Sequence, residues 1–302
     1  MAEAYIIDAL RTPTGRRKGG LSEMHPADLG GHVLKELVDR NDVPGDDYED
    51  VIFGSVDTIG PLAGDIARTC WLSAGLPLHV PGVTIDRQCG SSQQSVHFAA
   101  QAVMSGTADV VVAGGVQAMS QIPISAAMLA GQAYGFGDPF TGSTGWVKRF
   151  GDGLVTQFNS AEMIAEKWGL SRQDLEQFAL NSNERAFRAI DEGRFDREIT
   201  PVNGVTMDET PRRGTTLDAM AELQPLQEGG RITAAVSSQT CDAASAMLIC
   251  SEEAVKRYDL KPRARIHHIS VLADDPIWML TAPMPATKRA MEKTGMNIAD
   301  ID

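Results

Sequence analysis

The chain is short of cysteine, of long apolar runs and of positive charge, and each shortage excludes a class. There are four cysteines in 302 residues, Cys70, Cys89, Cys241 and Cys250, and no CxxC pair among them. Reduced thiols in a reducing compartment are therefore expected rather than a disulfide scaffold or a zinc site. No apolar stretch approaches the roughly 18–20 residues that cross a bilayer. The first residues, MAEAYIID, lack the basic start and long apolar core of a signal peptide, so they are expected to form a strand of a cytoplasmic protein. Lys and Arg number 27 against 40 Asp and Glu, a formal net charge of −13. That balance argues against nucleic acid or an anionic membrane as the main partner, although a local basic patch can still serve an anionic ligand.

Several motifs are absent as well. Gly114-Gly115 lacks the spacing of a dinucleotide fingerprint. Ser91 and Ser92 do not form G-x-S-x-G, so a serine hydrolase has no support. His267 and His268 are neighbours in an expected strand and so point to opposite faces, which removes them as a metal pair. No metal is expected.

What remains is a globular composition, 43% hydrophobic and 22% charged, enough for one large domain or two. Expected strands are Ala4–Asp8, Val51–Val56, Val83–Asp86, Asp109–Gly114 and Ala244–Cys250. Helical periodicity covers His25–Asn41, Gly64–Leu76 and the stretch from after Cys89 to about Ser105. Alternating strands and helices predict an α/β fold with a largely parallel sheet. From about Pro123 the pattern changes. Residues 131–156 read as loop. Helices are expected over Ser160–Trp168 and Ser171–Glu192, the second with Ser171 and Asp174 as a capping pair. A Pro- and Gly-punctuated region, Ile199–Arg231, comes next. Residues 123–235 thus form a large insertion that carries binding surface. Ser251–Tyr258 is a short helix capped by Ser251, and Arg265–Val271 is a further strand.

The order strand, Pro-containing loop, helix, acidic turn occurs twice. It begins at AYIIDA and again at RIHHISV, whose helix is ATKRAMEKTG. This is an internal duplication at half-domain scale. The second copy stops at Asp302, near the counterpart of Asp50. A duplicated sheet cut there leaves open strand edges and uncovered apolar surface, so an incomplete chain is expected, a fragment or a shortened gene product.

The segment PGVTIDRQCGSSQQS places a lone thiol between a strand and a helix. A helix N-terminus has unpaired N–H groups and the positive end of the dipole, which favour a thiolate nucleophile. A strand–nucleophile–helix turn is a recurrent way of exposing a catalytic side chain. On this local pattern alone, Cys89 as a small buried hydrophobe stays open.

Further stretches point to a family: IIDALRTPTGRRKGGLSEMHPADLGG, GDIAR, DRQCGSS, GGVQAMSQIP, SAEMIAEKWGLSR, ALNSNERA, GRFDREI and DPIWMLTAPMPAT, in that order. With these the chain resembles the thiolases, acyl-CoA C-acetyltransferases, over essentially its whole length. The wording of DRQCGSSQQS and GGVQAMSQIPIS is most similar to actinobacterial thiolases of steroid-ring degradation.

The resemblance implies two αβαβα halves with a loop domain inserted in the first. Residues 1–122 and 236–263 would be the N-terminal half, 123–235 the CoA-binding insertion, and 264–302 the start of a truncated second half. It implies cleavage of a 3-ketoacyl-CoA by CoA, or the reverse condensation, with Cys89 carrying the acyl group. CoA is then a substrate, with no covalently bound cofactor, and a homodimer or homotetramer is expected. Arg212 matches a position near the adenine and phosphate end of CoA, or else forms a solvated surface pair with Arg213. Ser238 matches a pantetheine contact, or else caps a loop. Met279 matches a methionine beside the reacting thioester, and Met119 lies near the nucleophile; for both, core packing is the other reading.

Three departures bear on the acyl pocket and the CoA contacts. Gln117 stands where Glu is common, Thr156-Gln157 replaces a His-Met pair, and Cys241-Asp242-Ala243 replaces Asn-Asp-Gly. Three catalytic elements of the family do not occur in these 302 residues: an Asn-Glu-Ala-Phe segment, a Gly-His-Pro histidine that activates the nucleophile, and a second cysteine that moves the α-proton. The 302-residue chain alone is therefore expected to show at most trace turnover. The alternative is a thiolase-like protein that binds acyl-CoA or a partner subunit without turnover.

Overall fold

A computed structural model of the chain describes residues 2–153 and 155–302. These residues form two compact units. The first is Met1–Ala133 with Gly193–Thr210 and Gln239–Ile266, and the second is Tyr134–Glu192 with Pro211–Ser238 and His267–Asp302.

The first unit is an α/β sheet. Its strands are β1 (Ala4–Arg11), β2 (Gly15–Arg16), β3 (Asp50–Gly54), β4 (Gly82–Ile85), β5 (Val110–Ala118), β6 (Cys241–Ser251) and β7 (Ala264–Arg265). Their order is β4-β3-β5-β6-β1-β7, with β2 also on β6. Only β3 with β4 and β3 with β5 are parallel; β6 runs antiparallel to β5, β1 and β2, and β7 antiparallel to β1. The expected largely parallel sheet is corrected to a mixed one. A right-handed helical crossover returns the chain parallel, but the path from β5 to β6 runs through the long inserted segment and brings β6 back in the opposite sense.

Helix α1 (Pro26–Asp39) begins with Pro at its first position, and the His25 side chain accepts from Ala27 N–H. Its buried Leu29, Val33, Leu34 and Leu37 recur at helical spacing. Helix α2 (Ile66–Ser73) packs beside it, and α3 (Ser91–Ser105) lies on β3, β5 and β6. Alternation along β3 separates these layers. A Cβ on Gly54 would meet α3, whereas Phe53, one residue earlier, approaches α1 near Gly30. One apolar cluster, including Leu29, Phe53, Trp71, Val112 and Leu248, fills the α1–α2 face.

Short α4 (Ala126–Ala130) comes after β5, and α5 (Thr144–Phe150) lies in the second unit. Much of 131–156, expected as loop, is therefore irregular, but α5 interrupts it. Its Trp146 packs between Phe140 and Phe150. Helix α6 (Gln157–Lys167) is capped by Thr156, and α7 (Arg172–Asp191) by a reciprocal Ser171–Asp174 box. Arg172 pairs with Glu176 and reaches the carbonyls of Met220, Ala221 and Leu223 at the end of α8 (Leu217–Ala221). Ser251 caps α9 (Glu252–Arg257) in the first unit.

The strand expected over Arg265–Val271 is corrected. The ladder on β1 ends at Arg265, followed by one bond from Ile266 N–H to the Ala4 carbonyl, and His267–Val271 has no regular structure. Helix α10 (Pro283–Thr294) and a 3₁₀ turn at Ile298–Asp300 complete the chain's elements. The first half shows the same order, α1 and then a 3₁₀ turn at Gly45–Asp47.

Candidate active site

The carboxyl ends of β3, β4 and β5 lie at one end of the sheet, the end at which open α/β sheets bind ligands. Strand β4 leaves the sheet there at Ile85, and α3 starts six residues later. The turn between them is held by bonds among its own residues. Gln88 N–H donates to the Asp86 carboxylate at 2.6 Å, and Gly90 N–H to the Arg87 carbonyl at 3.1 Å. Ser91 closes it: its N–H donates to the Gln88 carbonyl at 3.0 Å, and its buried Oγ accepts from Arg87 N–H at 2.8 Å and donates to the same carbonyl at 2.5 Å. Gln88 adopts φ +48°, a left-handed conformation that costs energy for a non-glycine residue and recurs at functional turns. Next comes Cys89, just before the cap residue Gly90 of a 15-residue helix whose positive dipole end faces this turn.

Cys89 is the exposed member of the four cysteines. Burial pushes the thiols of Cys70 and Cys250 up to about 12, and burial also raises Cys241. Those three therefore stay as thiols at neutral pH. The reading of Cys89 as a small buried hydrophobe is excluded by its exposure.

The seat under the turn is made of glycine. A Cβ on Gly54 would lie 2.3 Å from the backbone of Ser91 and Ser92, and one on Gly115 would lie 2.5 Å from the Gly54 carbonyl. Ser95, fully buried, then fastens the first turn of α3 to β5: its Oγ lies 2.6 Å from the Ser92 carbonyl and 2.8 Å from that of Gly114, and accepts from Gly114 N–H at 3.0 Å. Sequence reasoning named none of these three as site residues. The signal was there, since glycine inside VIFGSV and VVVAGGV marks close backbone approach.

Met119 also belongs to the first unit and comes directly after β5 at the same sheet end. Its N–H donates to the Cys241 carbonyl at 3.2 Å, and its sulfur accepts from Cys241 N–H at 3.4 Å. Neighbouring Asp242, buried at 1% exposure, takes the N–H and hydroxyl of Ser120. The other expected contacts lie in the second unit. Arg212 has an exposed side chain, and its N–H donates to Asn183. Beside it Arg213 pairs with Asp191 and stacks 4.0 Å over Phe187. Ser238 is exposed, beyond the 3₁₀ turn at Ala234–Val236. Met279 is partly buried at φ +44°, with its N–H on the Asp275 carbonyl. Among the described residues, no group of three or more His, Cys, Asp or Glu could hold a metal ion, and no helix is long and apolar enough to cross a membrane.

The family model "Thiolase, N-terminal domain" matches residues 4–253 of this chain, from β1 to the first residues of α9, with the nucleophile turn inside. The chain belongs to the thiolase family. It is 56% identical to a steroid 3-ketoacyl-CoA thiolase, FadA6, of Mycobacterium tuberculosis, over 100% of this chain and 75% of that protein. It is 36% identical to a beta-ketoadipyl-CoA thiolase of Acinetobacter baylyi, over 100% and 79%. Among solved structures it resembles the acetyl-CoA acetyltransferase of Bacillus anthracis, with a TM-score of 0.83 at 30% identity, covering 100% of this chain and 79% of that one. The thiolase fold expected from the sequence is thereby established.

Proposed function

We propose that this thiolase is an acyl-CoA C-acyltransferase that cleaves a 3-ketoacyl-CoA with CoA, or runs the reverse condensation, through an acyl group on Cys89. The observation that carries the reading is an exposed thiol on a strained turn at the amino end of α3, in a family whose other members here are named as thiolases. In the cleavage direction the Cys89 thiolate adds to the 3-keto carbonyl. The bond between C2 and C3 breaks, and its electron pair leaves with the acetyl-CoA fragment, which takes up a proton. The shortened acyl group stays on sulfur as a thioester until the thiol of CoA attacks it and frees the cysteine. Two easier steps replace one hard carbon–carbon cleavage.

The insertion over 123–235 is the CoA-binding segment of this reading, with Arg212 toward the phosphates and Ser238 toward the pantetheine. Met119 and Met279 border the acyl group. The 56% likeness to a steroid thiolase supports a steroid-derived acyl chain. A cytoplasmic homodimer or homotetramer is the working assembly. The 302 residues contain no Gly-His-Pro segment, so turnover by this polypeptide alone is expected to be at most trace, and the test is a single turnover. Mixing the protein with a 3-ketoacyl-CoA should release acetyl-CoA up to one equivalent per chain, and Cys89→Ala should abolish the release. Equal release by Cys89→Ala would refute the assignment.

A further inference from the structure

The ladder between β3 and β5 ends at the pair Gly54–Gly115. Past that pair the main chain of β3 has no further partner on β5, yet Val56 is bonded to β5 at both its polar atoms. Val56 N–H donates to Gln117 Oε1 at 3.1 Å, and Gln117 Nε2 donates to the Val56 carbonyl at 3.1 Å. A carboxamide offers one acceptor and two donors, and only this orientation of it serves both atoms. Gln117 is itself fixed by its main chain, which pairs with Ala243 on β6. Its side chain thus extends the sheet beyond its last backbone pair.

Val56 is flanked on both sides by residues that support the site. Just before it, Ser55 N–H donates to the Ile85 carbonyl at 3.1 Å, on the last residue of β4 ahead of the nucleophile turn. One residue earlier, Gly54 is the seat of the first turn of α3. Just after Val56, buried Asp57 at φ +53° takes the N–H groups of Ser125 and Ala127 at the start of α4. One carboxamide therefore sits where the seat of Cys89, the exit of β4 and the anchor of α4 meet.

We propose that Gln117 is a positioning residue for the acyl-transfer chemistry: its two-point clamp on Val56 holds Gly54 and the β4 exit in register, and so fixes the turn that presents Cys89. The proposal rests on the reading of Cys89 as the nucleophile. Glutamate at this position keeps the length and shape. It loses the donor, however, and turns a carboxylate oxygen toward the Val56 carbonyl, so the clamp opens at one of its two bonds.

The test is Gln117→Glu, with Gln117→Leu as a second variant that removes both bonds without adding charge. Three readouts are taken at neutral pH: hydrogen exchange at the Val56 amide, alkylation of Cys89 by iodoacetamide, and the single-turnover acylation rate against 3-ketoacyl-CoA concentration. The expected result is faster Val56 exchange in Gln117→Leu, which alone loses the acceptor of that N–H, together with Cys89 rates lowered about five-fold or more in Gln117→Leu and to a smaller extent in Gln117→Glu, as for lost hydrogen bonds. The half-saturating concentration should stay unchanged, since a positioning effect falls on rate rather than on binding. Faster Val56 exchange in Gln117→Leu with unchanged Cys89 rates in both variants would overturn the proposal, leaving a purely structural clamp. Wild-type exchange at Val56 in Gln117→Leu would overturn it at its first step. If wild type transfers no acyl group to Cys89, the functional reading fails separately, and exchange with alkylation still decides the clamp.

Discussion

Gly54→Ala is the substitution on which the geometry of the nucleophile turn makes its hardest demand. A Cβ there lies 2.3 Å from the Ser91 carbonyl carbon and the Ser92 nitrogen, where ordinary contact begins at 3.4 Å. Both atoms are backbone, so no side chain can rotate away. Either α3 or β3 retreats by about 1 Å, the scale of misplacement that costs about 100-fold in a positioned reaction. Forcing the extra methyl into the close-packed seat costs about 1–3 kcal/mol of stability. Gly90→Ala is the control. It lies beside Cys89 in the chain, but its nearest contact would be the Arg87 carbonyl at 3.5 Å and its φ is −90°. It should cost less than about 1 kcal/mol. The assay is urea unfolding of each variant together with the single-turnover acylation rate of Gly54→Ala. Loss of stability without loss of rate would refute the claim that the seat positions the thiol. No loss of either would refute the seat itself.

Ser95→Ala removes the hydroxyl that accepts from buried Gly114 N–H and ties α3 to β5; it should lower stability by about 1–3 kcal/mol, read by urea unfolding, and an unchanged midpoint would contradict it. Asp208 is buried enough that desolvation alone would raise its carboxyl, but Arg11, with both terminal nitrogens on it, and Thr14 N–H outweigh that and hold it low. A depressed carboxyl contributes stability above its ordinary value and loses it as pH falls through the lowered one. Asp208→Asn should therefore remove part of the acid-induced loss below about pH 4, and acid titrations of the two proteins that superimpose would contradict this. Iodoacetamide at pH 7 should label Cys89 first and leave Cys70 and Cys250 until unfolding; peptide mapping that finds either buried thiol modified as fast as Cys89 would overturn the assignment.

The elements themselves were legible because their residues state their period. Leu29, Val33, Leu34 and Leu37 spell a helix, VVVAGGV a buried strand, and Ser171 with Asp174 a helix start that the reciprocal cap confirms. Strand direction was not legible, because side-chain alternation is the same in either sense. Antiparallel β6 results from the route taken by the chain between Ala118 and Cys241. RIHHISV has strand propensity, but its ladder on β1 ends at Arg265, with one further bond from Ile266 N–H to the Ala4 carbonyl, and propensity without a continued ladder makes no strand. At the site, Cys89 stood out as a lone thiol between a strand and a helix. Its support did not, because Gly54, Ser95, Gly115 and Gln117 act through contacts that are local only in space. Arg212, Ser238 and Met279 rested on the family likeness, and their roles stay with the proposed function.

The most direct test of the whole account is to find where the acyl group goes. The protein is mixed with a 3-ketoacyl-CoA, quenched in acid and digested, and the peptide carrying DRQCGSSQQS is weighed. The account predicts an added acyl mass on that peptide, localised to Cys89 and removed when CoA is supplied before the quench. An acyl group on another residue, or acetyl-CoA released with Cys89 never acylated, would contradict it.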